Sequence, residues 1–438
     1  MPRAVTPIGT ASRVARSAAG LAVAAVLAAL LASCTGQPAA APSGAATASR
    51  SASASAASSP KPLGDGVLRI GTLFPSTGAT DFVGAPELAG VRTAVAEINA
   101  AGGVNGKPVE LVSDDSGDAT TATAEASLAD LAKKGVDVII GPSSSVLAQR
   151  LLTAAAAAHI PMVSPSATYP QLSTLDTQGV FFRTIPSTAQ QGVTLGTLLP
   201  SKKQLKVALV ASSDPIGQSI VATLGDTLTA NGGRLVATIA LTASSDAAAT
   251  VAQVKVAAPD AVVLDTPDNG TQTKAMITQL VAAGFGGAKL WLTSQNLADY
   301  SQALPAGTLT GVSGLLEGAD SSAAFQAQVK AADPAVPGFQ YTPEAYDAAI
   351  LVALAATLAH DDAGMRVAAQ LRAASVGGIK CTSYVECLDV LKSEPAIDYD
   401  GLSGPLNLTA EGDPMPATYG IYSYAANGMY ARSGNVIG

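Results

Sequence analysis

Three consecutive serines, Ser143-Ser144-Ser145, follow Gly141-Pro142 and precede Val146-Leu147-Ala148-Gln149-Arg150-Leu151-Leu152. The residues before the turn, 136–140, are short, β-branched and nearly all apolar, which is the composition of a buried parallel strand. The residues after it carry apolar side chains at helical spacing. Each serine suits an N-cap position. The unit therefore reads as strand, tight turn, helix N-terminus. Such an end offers free backbone N–H groups and the positive end of the helix dipole, and serine hydroxyls add donors. The chemistry available is capture of a small anionic group, a carboxylate or a phosphate, without reaction.

The surrounding elements must bring this turn to a shared edge. Residues 67–73 read as a first strand, followed by the turn-rich Phe74-Pro75-Ser76-Thr77-Gly78. A helix is expected over 86–100, with Val91, Val95 and Ile98 on one face, and Gly102-Gly103 stops it. A second strand follows at 109–112, then a helix reaching Lys134, then the serine turn and its helix to about His159. Ile160-Pro161-Met162-Val163 is another short strand, leading to Ser164-Pro165-Ser166-Ala167-Thr168. Alternating strands and helices argue for a doubly wound α/β lobe with a parallel sheet. Ligands of such sheets lie beyond the carboxyl ends of the strands, where the loops 76–83, 142–145 and 164–168 fall.

Phe181-Phe182-Arg183-Thr184-Ile185-Pro186 reads as a crossing segment. A second series follows, with strands at 206–211, 234–240, 261–265 and 289–292 and helices between them. Its strand-end loops are 212–217, 265–269 and 293–296. Asp265 ends one of these strands, where ligand contact and plain solvation weigh equally. Two such units in tandem leave a cleft between lobes, a favoured place for small molecules. Helices then follow at 325–332 and 343–358, the latter with Tyr346, Ile350, Leu351 and Leu354 spaced for one buried face, and residues 419–424 form an apolar strand.

Other chemistry finds little support. Asp114-Asp115-Ser116-Gly117-Asp118 lacks the alternating ligands and distal Glu of a calcium loop, so it reads as a solvated turn with a helix cap. His159 and His360 are the only histidines, both at expected helix ends and without a serine-elbow or metal-ligand context. The reading is not an enzyme, with no cofactor and no metal. A net charge of −8 and a pI near 4.8 exclude the concentrated Lys and Arg that nucleic-acid binding needs.

The N-terminus carries Arg3, Arg13 and Arg16, then an apolar run over 18–32 that ends in Leu31-Ala32-Ser33-Cys34. The run is short for a membrane span. The four residues resemble a bacterial lipobox, which implies a lipoprotein signal peptide over 1–33, cleavage before Cys34 and lipid on its thiol. Residues 34–65 are Ala, Ser, Pro, Gly and Thr with almost no large apolar side chain, a flexible tether. The remainder exceeds the about 250–300 residues that one core sustains, so two lobes are expected. Cys381 and Cys387 are the other cysteines; in an exported chain they pair as a disulfide.

Several ordered motifs resemble the type I periplasmic binding proteins of the branched-chain amino acid (Leu/Ile/Val) transport family. They include Gly71-Thr72-Leu73 with Ser76-Thr77-Gly78, Glu97-Ile98-Asn99, Gly102-Gly103-Val104-Asn105-Gly106 and Ile140-Gly141-Pro142-Ser143-Ser144-Ser145. Ser164-Pro165-Ser166-Ala167-Thr168, Phe182-Arg183-Thr184, Ala345-Tyr346-Asp347-Ala348 and Gly401-Leu402-Ser403-Gly404 complete the series. The resemblance covers the chain from about Val67. It implies two doubly wound parallel-sheet lobes joined by a multi-segment hinge, with lobe 1 from 66–185 plus 318–400 and lobe 2 from 186–317 plus 401–438.

The resemblance also implies site residues. The serine turn receives a ligand carboxylate through Ser143 or Ser144 and nearby N–H groups. Ser166 and Thr168 hold an amino-acid head. Phe82 or Val83 forms an apolar wall, and Tyr346 lines the pocket. Two departures stand out. The second-lobe acid that pairs with a ligand ammonium is replaced by Gln295, leaving Asp265 or Asp268 for that role, or a ligand without an ammonium. The loop that commonly carries a closing tyrosine reads Asp214-Pro215-Ile216-Gly217. The expected protein is a monomer, exported and lipid-anchored to the outer face of the cell membrane, delivering a small carboxylate-bearing ligand to an ABC permease. Alternatives are a ligand sensor for a membrane signalling partner and, least supported, a serine hydrolase.

Overall fold

Val138, Ile139 and Ile140 are wholly buried, and this two-sided burial decides the architecture of the first half. The computed structural model describes residues 63–267 and 269–438. The signal segment 1–33, Cys34, the tether up to residue 62, and Asp268 lie outside the described residues. Strands β1 (Arg69–Phe74), β2 (Glu110–Asp115), β3 (Val138–Ile140), β4 (Met162–Ser164) and β5 (Phe181–Arg183) alternate with helices α1 (Asp81–Ala100), α2 (Thr123–Lys133) and α3 (Ser145–Ala158). The five strands are all parallel, in the order β2-β1-β3-β4-β5. Val138 and Ile140 join the core that contains α1, whereas Ile139 joins the core of α2 and α3. Alternate side chains thus feed two helical layers, and all strands end at one edge.

The second lobe repeats the plan with α4 (Gln190–Ser201), β6 (Lys206–Ser212), α5 (Pro215–Ala230), β7 (Arg234–Leu241), α6 (Ala247–Ala257), β8 (Ala261–Asp265), α7 (Thr271–Leu280), β9 (Leu290–Leu292) and β10 (Ser313–Glu317). The chain then returns through α8 (Ala323–Ala332), α9 (Thr342–Ala359), α10 (Gly364–Leu371), β11 (Ile379–Cys381), α11 (Tyr384–Val390), β12 (Ile397–Gly401) and β13 (Gly404–Pro405). It ends in β14 (Thr418–Tyr424) and β15 (Tyr430–Ile437). The second sheet has the order β15-β14-β10-β9-β8-β6-β7. Five of its strands are parallel, but β14 runs antiparallel to β10 and β15 antiparallel to β14. The doubly wound parallel-sheet lobes expected from sequence are present, and the antiparallel pair is an addition at one edge. It arises because the tight turn between Ala425 and Met429 makes β14–β15 a hairpin, and a turn that short joins only antiparallel strands.

Three further elements depart from the sequence reading. Helix α1 begins at Asp81 and not near Pro86, so Phe82 and Val83 are helical and Pro86 lies inside the helix. Helix α9 is buried on every side from Thr342 to Ala356, where one buried face was expected. It packs between α1 and α10 and reaches β3, β4 and β12, so no side is left for solvent. Ile397, Tyr399, Leu406 and Leu408 belong to the core of the first lobe, and Asp413 pairs with Arg183 of β5 at 2.6 Å. The last crossing into the second lobe therefore lies after Asp413, beyond the boundary of 400/401 expected from sequence.

Arg183 is fully buried. Its Nε donates to Asp413, Nη1 to the carbonyls of Ala167 and Tyr169, and Nη2 to Ser173 Oγ. One guanidinium thus shapes the loop after β4. Among the described residues no single helix is long and apolar enough to cross a membrane.

Cys381 and Cys387 form a disulfide that closes a short loop around the start of α11. A loop of this length confines the unfolded chain by about 2 kcal/mol. The Cys381→Ser/Cys387→Ser double variant is expected to lose about that much stability in urea unfolding, with an unchanged m-value.

Candidate functional site

The serine turn depends on a glycine that no other residue can replace without strain. Gly141 has φ 120°, and a Cβ there would stand 2.5 Å from the Leu73 carbonyl oxygen. This brings the end of β3 against β1; the Gly141–Pro142 peptide is cis. Helix α3 then starts, with Ser144 as its N-cap in extended conformation and its Oγ accepting from Leu147 N.

The three serines divide their work. Ser143 Oγ donates to Glu87 Oε2, and Ser166 Oγ donates to Glu87 Oε1 at 2.5 Å. Ser144 caps α3. Ser145 Oγ accepts from Tyr169 N at 3.2 Å, and its hydroxyl proton remains available. Ser143, one of the two residues expected to meet a ligand, thus donates its proton to the protein itself. Ser144 and Ser145 each accept one backbone N–H, and the hydrogen bonds of the turn do not use their hydroxyl protons.

Glu87 was not anticipated from sequence. It lies on α1, fully buried, and links the loops after β3 and β4. Burial pushes its carboxyl up to about 8; the hydrogen bonds from Ser143 and Ser166 pull the other way, and the charge of Glu344 adds to the rise. The helical spacing of α1 predicted an apolar buried face, and an acid on it carried no local signal of function.

Thr168 is half-buried and its carbonyl accepts from Thr188 N at 2.9 Å, joining the loop after β4 to the first crossing. Phe82 is 62% exposed on the first turn of α1, whereas an apolar wall of the pocket was expected there. Tyr346 is a core residue: its hydroxyl donates to Glu97 at 2.6 Å and its ring meets Phe325 edge-on. Tyr341, half-buried just before α9, is the tyrosine whose hydroxyl feels the charges of Glu317, Glu344 and Glu87.

On the second lobe Asp265 is fully buried at the end of β8. Its Oδ1 accepts from Thr293 Oγ1 at 2.7 Å and from Gln295 Nε2 at 3.3 Å, and its Oδ2 from Ser212 Oγ at 3.3 Å. Burial raises its pKa, and these hydrogen bonds oppose the rise. Gly217 makes this packing possible, because a Cβ there would stand 2.3 Å from the Ser212 carbonyl and 2.9 Å from Asp265 Oδ2. Asp214 caps α5 through Ile216 N and Gly217 N. Asp265, at the end of β8, and Gln295, in the short turn that follows β9, are therefore neighbours. Close by, Glu317 at the end of β10 accepts from Gln191 Nε2 at 2.8 Å and Ser294 Oγ at 3.1 Å.

Two α/β lobes in tandem, one with a hydroxyl-rich turn and a helix N-terminus at its strand ends and the other with a buried carboxylate there, have the architecture of a two-lobed binding protein. The family model described as periplasmic binding protein matches residues 67–385, and the chain belongs to that family. Its relatives include the chemotactic signal transduction system substrate-binding protein BasB of Halobacterium salinarum, 26% identical over 359 residues, which span 79% of this chain and 84% of that protein. The Leu/Ile/Val-binding protein BraC3 of Rhizobium johnstonii is 31% identical over 173 residues, 39% of this chain and 46% of that protein. Among solved structures, the branched-chain amino acid transporter substrate-binding protein LivJ of Streptococcus pneumoniae in complex with isoleucine has a TM-score of 0.57 at 21% identity, covering 85% of this chain and 99% of that one. A solute-binding protein of an ABC transporter from R. palustris in complex with 4-hydroxybenzoate also has a TM-score of 0.57, at 18% identity over 85% and 96% of the two chains. These structural likenesses are of fold. The relatives are binding proteins and not enzymes, and membership of the family places this chain outside the cytoplasm as a binder of small molecules.

The raised carboxyl of Glu87 has a consequence for stability. It favours the folded state fully below the ordinary glutamate value near 4.5, and the contribution is lost as pH climbs through about 8. The melting temperature of the ligand-free protein is expected to decline between pH 5 and 8, and Glu87→Gln to flatten the decline. Calorimetric scans of both proteins across that range provide the check; equal slopes would remove Glu87 as the cause.

Proposed function

We propose that this chain is an exported, lipid-anchored solute-binding protein that takes a small molecule between its two lobes and presents it to an ABC permease. The single observation that carries the reading is that each lobe gathers polar groups at the carboxyl ends of its parallel strands. Ser145, Thr168 and the N-terminus of α3 offer donors in the first lobe. Asp265, braced by Thr293 and Gln295, offers an acceptor in the second. A ligand with an acidic or carbonyl end and a donor end bridges both lobes and favours the closed state by its differential contacts. Gln295 stands where the family often has an acid, and Asp265 from the next strand supplies the charge instead. Phe82 belongs to the same reading as an exposed aromatic that a closing lobe covers. Cys34 would hold the protein to the membrane surface through lipid, with 34–65 as a tether. The protein acts as a monomer, without cofactor, and its acidity disfavours nucleic acid.

A sensor role is the second reading, favoured by the likeness to the chemotactic BasB protein over 79% of this chain and 84% of that one. Uptake of a bound solute by cells with and without the gene separates the two: lost uptake supports transport, and lost response with normal uptake supports sensing.

Binding is tested by thermal-shift screening of the purified protein against amino acids and small organic acids. A stabilising ligand is expected among them, with a smaller radius of gyration on saturation. Asp265→Asn and Thr168→Ala are each expected to weaken that ligand tenfold or more in titration calorimetry. A folded protein indifferent to every compound would reject the reading.

A further inference from the structure

We propose that Glu344 and Arg432 are positioning residues of the hinge: from opposite lobes they clamp one peptide group, Gly318–Ala319, and so hold the second crossing in register with the other two. This rests on the solute-binding reading only for the use to which the lobe motion is put. The three crossings are 184–189 between β5 and α4, 318–322 between β10 and α8, and 414–417 before β14.

The carbonyl of Gly318 accepts from Arg432 Nη2 of β15 at 3.1 Å. The N–H of Ala319, which belongs to the same peptide group, donates to Glu344 Oε1 of α9 at 2.7 Å. A trans peptide points its C=O and N–H in opposite directions, so the two side chains hold it from opposite sides. Hydrogen bonds with an ionised partner are roughly twice as strong as neutral ones. A cation on the carbonyl and an anion on the N–H also polarise the peptide in the same sense, so each bond strengthens the other. Gly318 has φ 103°, and a Cβ there would stand 2.9 Å from Glu344 Oε1. The clamp therefore closes on a position that suits only glycine.

Neither side chain is free to drift. Glu344 is fully buried in the first turn of α9, and its own carbonyl accepts from Thr184 Oγ1 at 2.8 Å. Burial pushes its carboxyl up to about 7; Asp347 adds to the rise and the charge of Arg432 opposes it. Arg432 Nε donates to Asn435 Oδ1 at 2.7 Å, and the guanidinium lies over the Tyr422 ring, 5.7 Å from its centroid.

These contacts belong to a closed ring. Glu344 joins the first crossing, through Thr184, to the second, through Ala319. Gly318 N donates to the Thr418 carbonyl at 3.1 Å, which joins the second crossing to the third where it enters β14. Gln190 Nε2 donates to the Pro414 carbonyl at 3.0 Å, and the Tyr419 hydroxyl to the Ser187 carbonyl at 3.0 Å, which joins the third to the first. Three segments distant in the chain thus turn together when one lobe moves against the other. Without the clamp, the first and third crossings stay tied to each other and the second is held through Gly318 N alone. An ordered hinge of this kind lowers the entropy that closure has to remove.

The test is amide hydrogen exchange at residue resolution on the full chain without ligand, at pH 8, for the wild type, Glu344→Gln, Arg432→Gln and the double variant. Glutamine at 344 keeps an oxygen for the Ala319 N–H and removes the charge. Arg432 touches the carbonyl and not the N–H, so faster exchange at Ala319 in Arg432→Gln reports the clamp and not a lost acceptor. Each single variant is expected to speed exchange at Ala319 tenfold or more. The bonded amides of Thr188 and Ala417, in the first and third crossings, are expected to keep their rates. The double variant is expected to exchange no faster than the faster single one, because loss of either side chain opens the clamp. Unchanged exchange at Ala319 in Arg432→Gln, equal acceleration at all three crossings, or multiplied effects in the double variant would each overturn the clamp. Arg432→Gln decides by itself should Glu344→Gln not fold. No ligand enters the measurement, so failure of the clamp leaves the solute-binding reading standing, and that reading fails only in the ligand screen.

Discussion

A carboxyl group buried between two serines holds this site together. Glu87 receives Ser143 from the end of β3 and Ser166 from the end of β4, so one side chain of α1 sets the spacing of two loops that belong to different strands. The cost is desolvation of an acid, visible in its raised pKa. Fully satisfied polar networks of this kind give a unique arrangement where apolar packing alone would tolerate several. Ser145, Thr168 and the helix N-terminus inherit their positions from it.

Arg183 does the same work from below. Its guanidinium gathers Ala167, Tyr169, Ser173 and Asp413, which binds the loop after β4 to the last crossing between lobes. Thr184, the next residue, joins the first crossing to α9 through the Glu344 carbonyl. The hinge is therefore built from segments distant in the chain that share buried polar contacts. Motion of one lobe against the other is felt by the same residues that shape the ligand loops, which is how a two-lobed binder couples occupancy to closure.

The second lobe knits its own strand-end polar groups together. Gln295 donates to Asp265, and the buried Glu317 accepts from Gln191 and Ser294. Relatives of the same fold are described with isoleucine or 4-hydroxybenzoate, so the scaffold accepts chemically unlike ligands.

Much of the fold was legible because its signals are local. Runs such as Val138–Ile140 are buried on both faces, α-helical spacing recurs between them, and Gly-Pro and Ser-rich turns mark the strand ends. The order of motifs led to the family, and the two remaining cysteines led to their disulfide. The roles of individual residues were not local. Ser143, Ser144 and Ser145 are identical in type and adjacent, yet one serves Glu87, one caps α3 and one receives the Tyr169 N–H, because each points to a different neighbour. Tyr346 and Tyr341 are five positions apart on one helix start, and packing sends the first into the core against Glu97 and Phe325 and leaves the second beside the hinge acids. Sequence alone determined the alternating strands and helices of the two α/β lobes, because their signals are local; only the tertiary structure decided where α1 begins and which side chains are spent on the protein, since that depends on partners up to hundreds of residues away.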